Sequence, residues 1–542
     1  MDFKKIPCRI LLVLAIFFLI DKPKLCFSAG PLQLSGKYKE CNVILIILDA
    51  LRPDRLSCYG YSKNTSPNMD ALAKQGIIFT DAFSQSTETI ASVASIFTSL
   101  YPFSHEDIHV FKDKLPEKVY TLAQILDTYG YKTAWFGFSM DPHTGAAKGL
   151  LRGFSEKNEL YLKKYLPSLE NYKTILDWIK QNCEKPFFLT IHSYEPHESW
   201  FPFLRFDNKF SRSVSKKITH DLDALEEKEW VKWQCTLKDH PETLYQLLGK
   251  DWVEKNKEYF MLPFSQAKPN GVLMLEPWGK RFLLKEWSRQ FYLSYLHSLN
   301  AGEFSDLLSL LDSAIYEFDH KTMAGLVKGL KELDLYRKTI IIVTADHGNE
   351  YNEHDAIGHG KTLYDESIHV PLLFYIPDLN KPVRSEELVQ SIDILPTVLD
   401  LLGIPIPQQA QGISLLGLME GKADALTNEY VFAQTLANLC SIRSKKWKLV
   451  KQLYWSNPEL WSQYLKNNDQ GGYKTEEQLF YLVNDKRERN ELGNKRKKIA
   501  KELRRRLESK LSSLIRYKEK EDEFDQDIDE QTKERIRKTG YW

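Results

Sequence analysis

Two kinds of hydrophobic patterning alternate along most of the chain. Continuous apolar runs rich in β-branched residues occur at 42–48 (NVILIIL), within 186–192 (PFFLTIH) and at 339–344 (TIIIVT), each bounded by polar turns. Runs without a period of two are the mark of strands buried on both faces of a parallel sheet. Less uniformly apolar stretches at 77–83 (IIFTDAF) and 131–138 (YKTAWFGF) read as further strands. Between them lie helical patterns. SPNMDALAKQG (66–76) carries Ser66 as cap, Pro67 in the first turn and Gly76 as stop; KVYTLAQILDTYG (118–130) is amphipathic and closed by Gly130; a long amphipathic helix covers about 303–334. The rhythm predicts an α/β fold, a mostly parallel β-sheet flanked by helices. Ligands of such sheets collect at the carboxyl ends of strands, where Asp49, His192 and Asp346 all fall.

The rhythm breaks twice. Residues 198–290 carry Trp200, Trp230, Trp233, Trp252, Trp278 and Trp287 among many charges, and read as an inserted helical cap that packs over the sheet or shapes substrate access. From 425 the pattern becomes strand-like (LCSIRSKKWKLVKQLY, EEQLFYLVND) and then a basic helix over 491–518, which predicts a small C-terminal α+β subdomain over 425–520 and a charged, solvated tail over 521–542. The main domain is expected over 38–424. At the N-terminus a basic region (Lys4, Lys5, Arg9) precedes an apolar run from Ile10 to Ile20, too short to span a bilayer comfortably, and Phe27-Ser28-Ala29 offers a cleavage site. Residues 1–29 are therefore expected to be a signal peptide, making the protein secreted or periplasmic; the alternative is an uncleaved membrane anchor.

Composition narrows the partners. Across 542 residues, 74 Lys and Arg balance 73 Asp and Glu for a net charge of +1, so no global field draws the chain to nucleic acid. Beyond the leader the cysteines Cys41, Cys58, Cys183, Cys235 and Cys440 are scattered without metal-type spacing, and are expected as buried or free thiols with at most one isolated disulfide.

The densest chemistry is TADHGNEYNEHDAIGHGKTLYDES (344–367). Asp346 and His347 directly follow a strand, so both can reach one ion at its end, an oxygen and imidazole pair suited to Zn, Mn or a similar divalent cation. His354, His359 and Lys361 follow on a Gly-rich loop, a place for cationic groups facing an anionic substrate. His192 and His197 follow another strand, and SQSTETIASVASIFTSLYP (84–102) supplies hydroxyls entering a helix. One carboxylate, an Asp-His pair, further His and Lys, and a hydroxyl nucleophile are the parts of a metal-assisted phosphoryl or sulfuryl transfer site.

NVILIILDALRPDRLSCYGY, SPNMDALAKQGIIFTDAF, FTSLYP, TADHGNEYNEHDAIGHGKTLYDESIHVPLLFY and DILPTVLDLLGIPIPQQAQGISLL, in this order, resemble the sulfatase family of the alkaline phosphatase superfamily. The resemblance implies that family's fold and one divalent metal ion (Ca, Zn or Mn). It puts Asp49, Thr89, Asp346 and His347 at the metal, and His192, His197, His359 and Lys361 at the substrate anion, with Thr89, His197, His359 and Lys361 in catalytic positions. The substrate implied is an anionic ester, a sulfated or phosphorylated glycan, lipid or small molecule. Counting back from Tyr101-Pro102 places Thr89 in the nucleophile seat; Thr87, two residues earlier, is the alternative. The chain also departs from the family. The formylglycine motif C/S-x-P-x-R reads Thr89-Ile90-Ala91-Ser92-Val93, and Ala50 stands where a second aspartate is usual. A formylglycine hydrate uses its second hydroxyl to expel sulfate, which threonine cannot do, so a threonyl ester needs an outside water. The expected function is a metal-dependent hydrolase of sulfate or phosphate esters. The alternatives are a transferase of phosphoryl headgroups resembling the phosphoethanolamine transferases, and an inactive sulfatase-like binding protein.

Overall fold

The computed structural model describes residues 33–105, 114–137, 149–159, 171–197, 301–354 and 356–517 except 380, 423, 436–438 and 453–476, with isolated positions between 210 and 257. The leader (1–29), nearly all of the insertion (198–290), Cys235 and the tail (521–542) fall outside them.

In chain order the strands are β1 (Asn42–Leu48), β2 (Ile77–Phe83), β3 (Lys132–Gly137), β4 (Glu156–Glu159), β5 (Phe187–Ser193), β6 (Thr339–Thr344), β7 (Glu350–Tyr351), β8 (Ile357–Gly358), β9 (His369–Tyr375), β10 (Val383–Gln390) and β11 to β14 (Val431–Gln434, Leu439–Arg443, Trp447–Gln452, Glu477–Tyr481). Eight of them form one sheet in the order β10-β2-β9-β6-β1-β5-β3-β4. All neighbours run parallel except β9, which is antiparallel to both β2 and β6. Every residue of β1 is buried, as its unbroken apolar run requires of a central strand. Each such Ile, Leu or Val contributes roughly 1.5–3 kcal/mol by leaving water.

Helices flank the sheet in two groups. Helix α1 (Pro67–Ala73), α2 (Asn171–Asn182) and a long helix that runs from Ala301 to Glu332 through a π-helical stretch at Phe318–Met323 pack together. Helices α3 (Thr89–Thr98), α4 (Leu122–Thr128) and α5 (Ile394–Leu402) form the other group. Two helix starts differ from the sequence reading. Ser66 precedes α1, but its hydroxyl donates to Asp70 Oδ1 (2.9 Å) while Asp319, from the π-helical stretch, accepts the N–H groups of Asn68 and Met69 (2.8 Å each). Residues 118–121 lie outside α4, because Thr121 and Gln124 close a reciprocal capping box there, 3.1 Å each way.

The C-terminal residues form a four-stranded antiparallel sheet, β11-β12-β13-β14, covered by helix α6 (Lys497–Ser513). The basic helix is shorter than its pattern, and Leu503, Leu507 and Leu511 form its buried stripe. This sheet touches the main one through Gln434, whose N–H donates to the Gln85 carbonyl (2.9 Å) on the stretch that leads to Thr89. Cys41, Cys58, Cys183 and Cys440 are all unpaired thiols. Among the described residues no helix is long and apolar enough to cross a membrane.

Candidate active site

The strand order explains why distant residues meet. β5, β1 and β6 are parallel neighbours, so Ile47 pairs with both His192 and Thr344, and the residues just beyond share one edge. Asp49 and Asp346 leave that edge side by side. The chain turns at once after Asp49, with Ala50 in the left-handed region (φ 57°), a conformation Asp and Asn tolerate better than Ala. The turn aims the Ala50 N–H at Asp346 Oδ1 (3.1 Å), which also accepts the His347 N–H (2.9 Å). Asp346 Oδ2 is left facing His347 Nε2 (3.5 Å), and receives no hydrogen bond from the described residues.

His347 is fixed in the form that suits a ligand. Its Nδ1 lies 2.8 Å from the Gly348 carbonyl, which can only accept, so in the neutral ring the proton sits on Nδ1 and Nε2 presents a lone pair. That lone pair faces Asp346, Asp49 Oδ1 (3.8 Å) and the Thr89 hydroxyl (3.3 Å). Gly348 itself is required, since a Cβ there would lie 2.1 Å from the Glu366 carbonyl.

Thr89 opens α3, with Glu88 in extended conformation before it and no side chain capping the helix. The surrounding hydroxyls build the turn. Ser86 Oγ accepts the Glu88 N–H (3.3 Å), Ser92 Oγ donates to the Ser86 carbonyl (3.0 Å), and Ser84 Oγ donates to Ser92 Oγ (3.2 Å). Ser95 pairs with His105 inside the core (3.0 Å). Thr87 is fully buried whereas Thr89 is partly accessible, so of the two threonines only Thr89 stands open beside His347. Ala91 and Val93 are both fully buried, so the Pro and Arg positions of the formylglycine motif hold core side chains and this helix brings no guanidinium to Thr89.

A second layer covers the first. The His359 ring stacks on His347 (centroids 4.2 Å, 28°), its Nδ1 donates to the Thr87 carbonyl (2.9 Å), and its Nε2 meets His197 Nε2 at 3.2 Å. Tyr194 stacks on His197 at 4.0 Å and its hydroxyl lies 3.3 Å from the same Nε2. Lys361 follows on the same turn, half-buried, after Gly360 (φ +88°); a Cβ on Gly360 would lie 2.1 Å from Glu88 Oε1. Two residues outside the sequence reading thus line this layer, Tyr194 and Glu88, and adjacency to His197 and Thr89 was the signal available for them.

Two expectations are corrected. His354 does not join the cationic layer; its ring lies flat on Tyr364 (3.5 Å, 7°) with Nε2 3.4 Å from Glu366. His192 does not join that layer either; it is wholly buried, with Nε2 3.7 Å from Asp49 Oδ2 and 3.8 Å from Asp346 Oδ2.

The donor set can hold a divalent cation. Carboxylate oxygens of Asp49 and Asp346 and a ring nitrogen of His347 lie within 4.8 Å of one another, all buried. Burial alone would raise the pKa of Asp346, but positive charge on the His347 and His192 rings, with the Ala50 N–H, holds it well below the usual carboxylate range; with the rings neutral, a bound cation would supply that charge. An ionised, buried carboxylate oxygen without a hydrogen bond, beside an imidazole lone pair, fits a metal ion.

Known proteins match this fold. The sulfatase family model matches residues 41–404, and the model of the N-sulphoglucosamine sulphohydrolase C-terminal region matches 353–517. The chain is similar to arylsulfatase K of Homo sapiens (24% identical, 88% of this chain and 83% of the relative). It is also similar to an N-acetylgalactosamine-6-O-sulfatase of Bacteroides thetaiotaomicron (24%, 86% and 92%). Among solved structures the fold matches the phosphonate monoester hydrolase of Agrobacterium radiobacter with a TM-score of 0.60 at 19% identity, over 87% and 95% of the two chains. With the family model covering well over half of the sequence, the chain belongs to the sulfatase family and is a hydrolase of sulfuric or phosphoric esters.

Proposed function

We propose that the protein hydrolyses phosphate or phosphonate esters through a covalent Thr89 ester. The observation that carries this is the Thr89 hydroxyl at 3.3 Å from the His347 Nε2 lone pair, beside the Asp49–Asp346 pair. Asp49, Asp346 and His347 would hold a divalent ion, which when bound lowers the pKa of a neighbouring hydroxyl and draws charge from the transferring group. Thr89 Oγ attacks phosphorus and its proton passes to solvent; the P–O bond to the leaving group breaks, and the leaving oxygen takes a proton from the His197–His359 pair. The first N–H groups of α3 point toward the transferring anion. Water then attacks phosphorus and gives a proton to the His197–His359 pair, the Thr89 Oγ–P bond breaks, and Thr89 Oγ takes a proton back from solvent. This route needs no second hydroxyl on the nucleophile, which is why a threonine suits it.

A second reading, hydrolysis of a sulfated glycan, is favoured by the N-acetylgalactosamine-6-O-sulfatase among the relatives. Matched aryl phosphate, phosphonate, phosphodiester and sulfate substrates separate the two, and a clear sulfate preference would overturn the first. Acid-quench mass spectrometry during turnover should show phosphate on Thr89. Turnover that survives Thr89→Ala would remove it from the mechanism. The leader-like residues 1–29 support action outside the cytoplasm, which cell fractionation of the full chain checks.

A further inference from the structure

We infer that His192 is a positioning residue, steadying Asp49 and Asp346 from the closed side of the site so that the other oxygen of Asp49 faces His347. The inference rests on the metal reading above and deepens it.

His192 closes β5, opposite Ile47 of β1 and Gly137 of β3. It is fully buried, its ring lies against Trp135 (centroids 5.5 Å, 35°), and a Cβ on Gly137 would stand 2.9 Å from the His192 Cβ. The ring is therefore wedged in one orientation, and a glycine leaves the room for it. That orientation points Nε2 at Asp49 Oδ2 (3.7 Å) and Asp346 Oδ2 (3.8 Å). His347 Nε2 faces the other oxygen of Asp49, Oδ1 (3.8 Å), and it is His347 that touches Thr89. The two oxygens of Asp49 thus look at different imidazoles, one on the reacting side and one beneath.

Neither ring nitrogen of His192 has a hydrogen-bond partner among the described residues. Leaving a buried donor unsatisfied costs about 1–3 kcal/mol, so a ring held in this way for packing alone would be poorly served by imidazole. With its proton on Nε2, His192 is a donor aimed at the carboxylates, and donors of this kind fix the orientation of metal-ligating groups. Direct ligation of the metal by His192 is distinguishable by experiment.

The test compares two substitutions of similar size in the full chain, His192→Gln, which keeps an N–H donor, and His192→Met, which does not. The probe is Co²⁺, followed by its visible absorption and by titration of the metal-stripped protein, with circular dichroism melts to confirm folding. His192→Met is expected to weaken Co²⁺ binding by about 10–100-fold with the absorption bands unmoved, and His192→Gln to recover most of the loss. Equal affinity in the two variants would overturn the inference and leave packing as the role. Bands that move in both variants would overturn it in favour of direct ligation. Failure of the unsubstituted protein to take up Co²⁺ would overturn the metal reading and this inference with it.

Discussion

Two buried acidic clusters lie within twenty residues of each other on the segment 346–365, and they are neutralised by different means. Asp365 meets Arg443 (3.0 Å) and Lys448 (2.8 Å), and Lys448, itself fully buried, also meets Glu488 (2.8 Å). Burial would raise the pKa of Asp365, but Arg443 and Lys448 hold it far below the usual range. Asp346 is equally buried, yet its ion-pair neighbours are His347 and His192, and the Gly348 carbonyl fixes His347 with its lone pair inward. Where the chain supplies its own permanent cations, a carboxylate cluster is architecture, here clamping the C-terminal sheet to the loop that carries His359 and Lys361. Where it supplies imidazoles instead, the cluster is left with a place that a cation from solution would fill. That difference separates a structural network from a reactive site better than the number of charges does.

The largest expected effect attacks the reactive cluster. Asp346→Asn should lower kcat/KM by at least about 10³-fold, and a chelator should do the same to the unsubstituted protein, reversibly on metal addition. Full activity after stripping to below a tenth of an equivalent of metal, measured by plasma emission, would break the comparison at its first term. The next effect attacks the architectural cluster. Lys448→Met leaves Asp365 and Glu488 without their shared cation, and should cost about 3–5 kcal/mol, read as a fall in Tm, while metal content of the folded protein stays the same. If that variant lost its metal while still folded, the two clusters would be one device and the distinction would fail.

Much of this was legible in the sequence, for identifiable reasons. β1 has the limits of the apolar run 42–48, because a strand buried on both faces has almost no polar positions to blur its ends. Asp49, Asp346 and His347 were found because they directly follow such strands. The side of the sheet edge on which a terminal residue ends was not legible. His192 and His197 stand five residues apart in one motif, yet one is wedged beneath the aspartates and the other lies in the layer above. That outcome depends on Trp135 and Gly137 of a neighbouring strand. His354 was drawn away by Tyr364 and Glu366, partners ten and twelve residues on. The grip of Arg443 and Lys448 on Asp365 spans 78 and 83 positions, beyond the reach of any local pattern.

The smallest effect concerns an acid lying between the two clusters on the same segment. Glu350 is fully buried, accepts a hydrogen bond from the Thr362 hydroxyl, and has neither a metal position nor a lysine of its own. Burial first, then Glu366 and Glu353, push its pKa up to about 8 from an ordinary 4.5, so it stays neutral by keeping its proton. This is a third way to bury a carboxyl group, and its sign is opposite to that of Asp365. Between about pH 4.5 and 8 the folded state holds a proton that the unfolded state has released, so stability falls as pH rises through that window and changes no further above it. Glu350→Gln keeps an oxygen for Thr362 and cannot ionise. Its Tm should match the unsubstituted protein near pH 5 and exceed it by roughly 2–4 °C near pH 8. Melting curves that stay parallel from pH 5 to pH 8 would mean that Glu350 is ionised in the fold, neutralised by Arg52 nearby, and belongs with Asp365 in the architectural class.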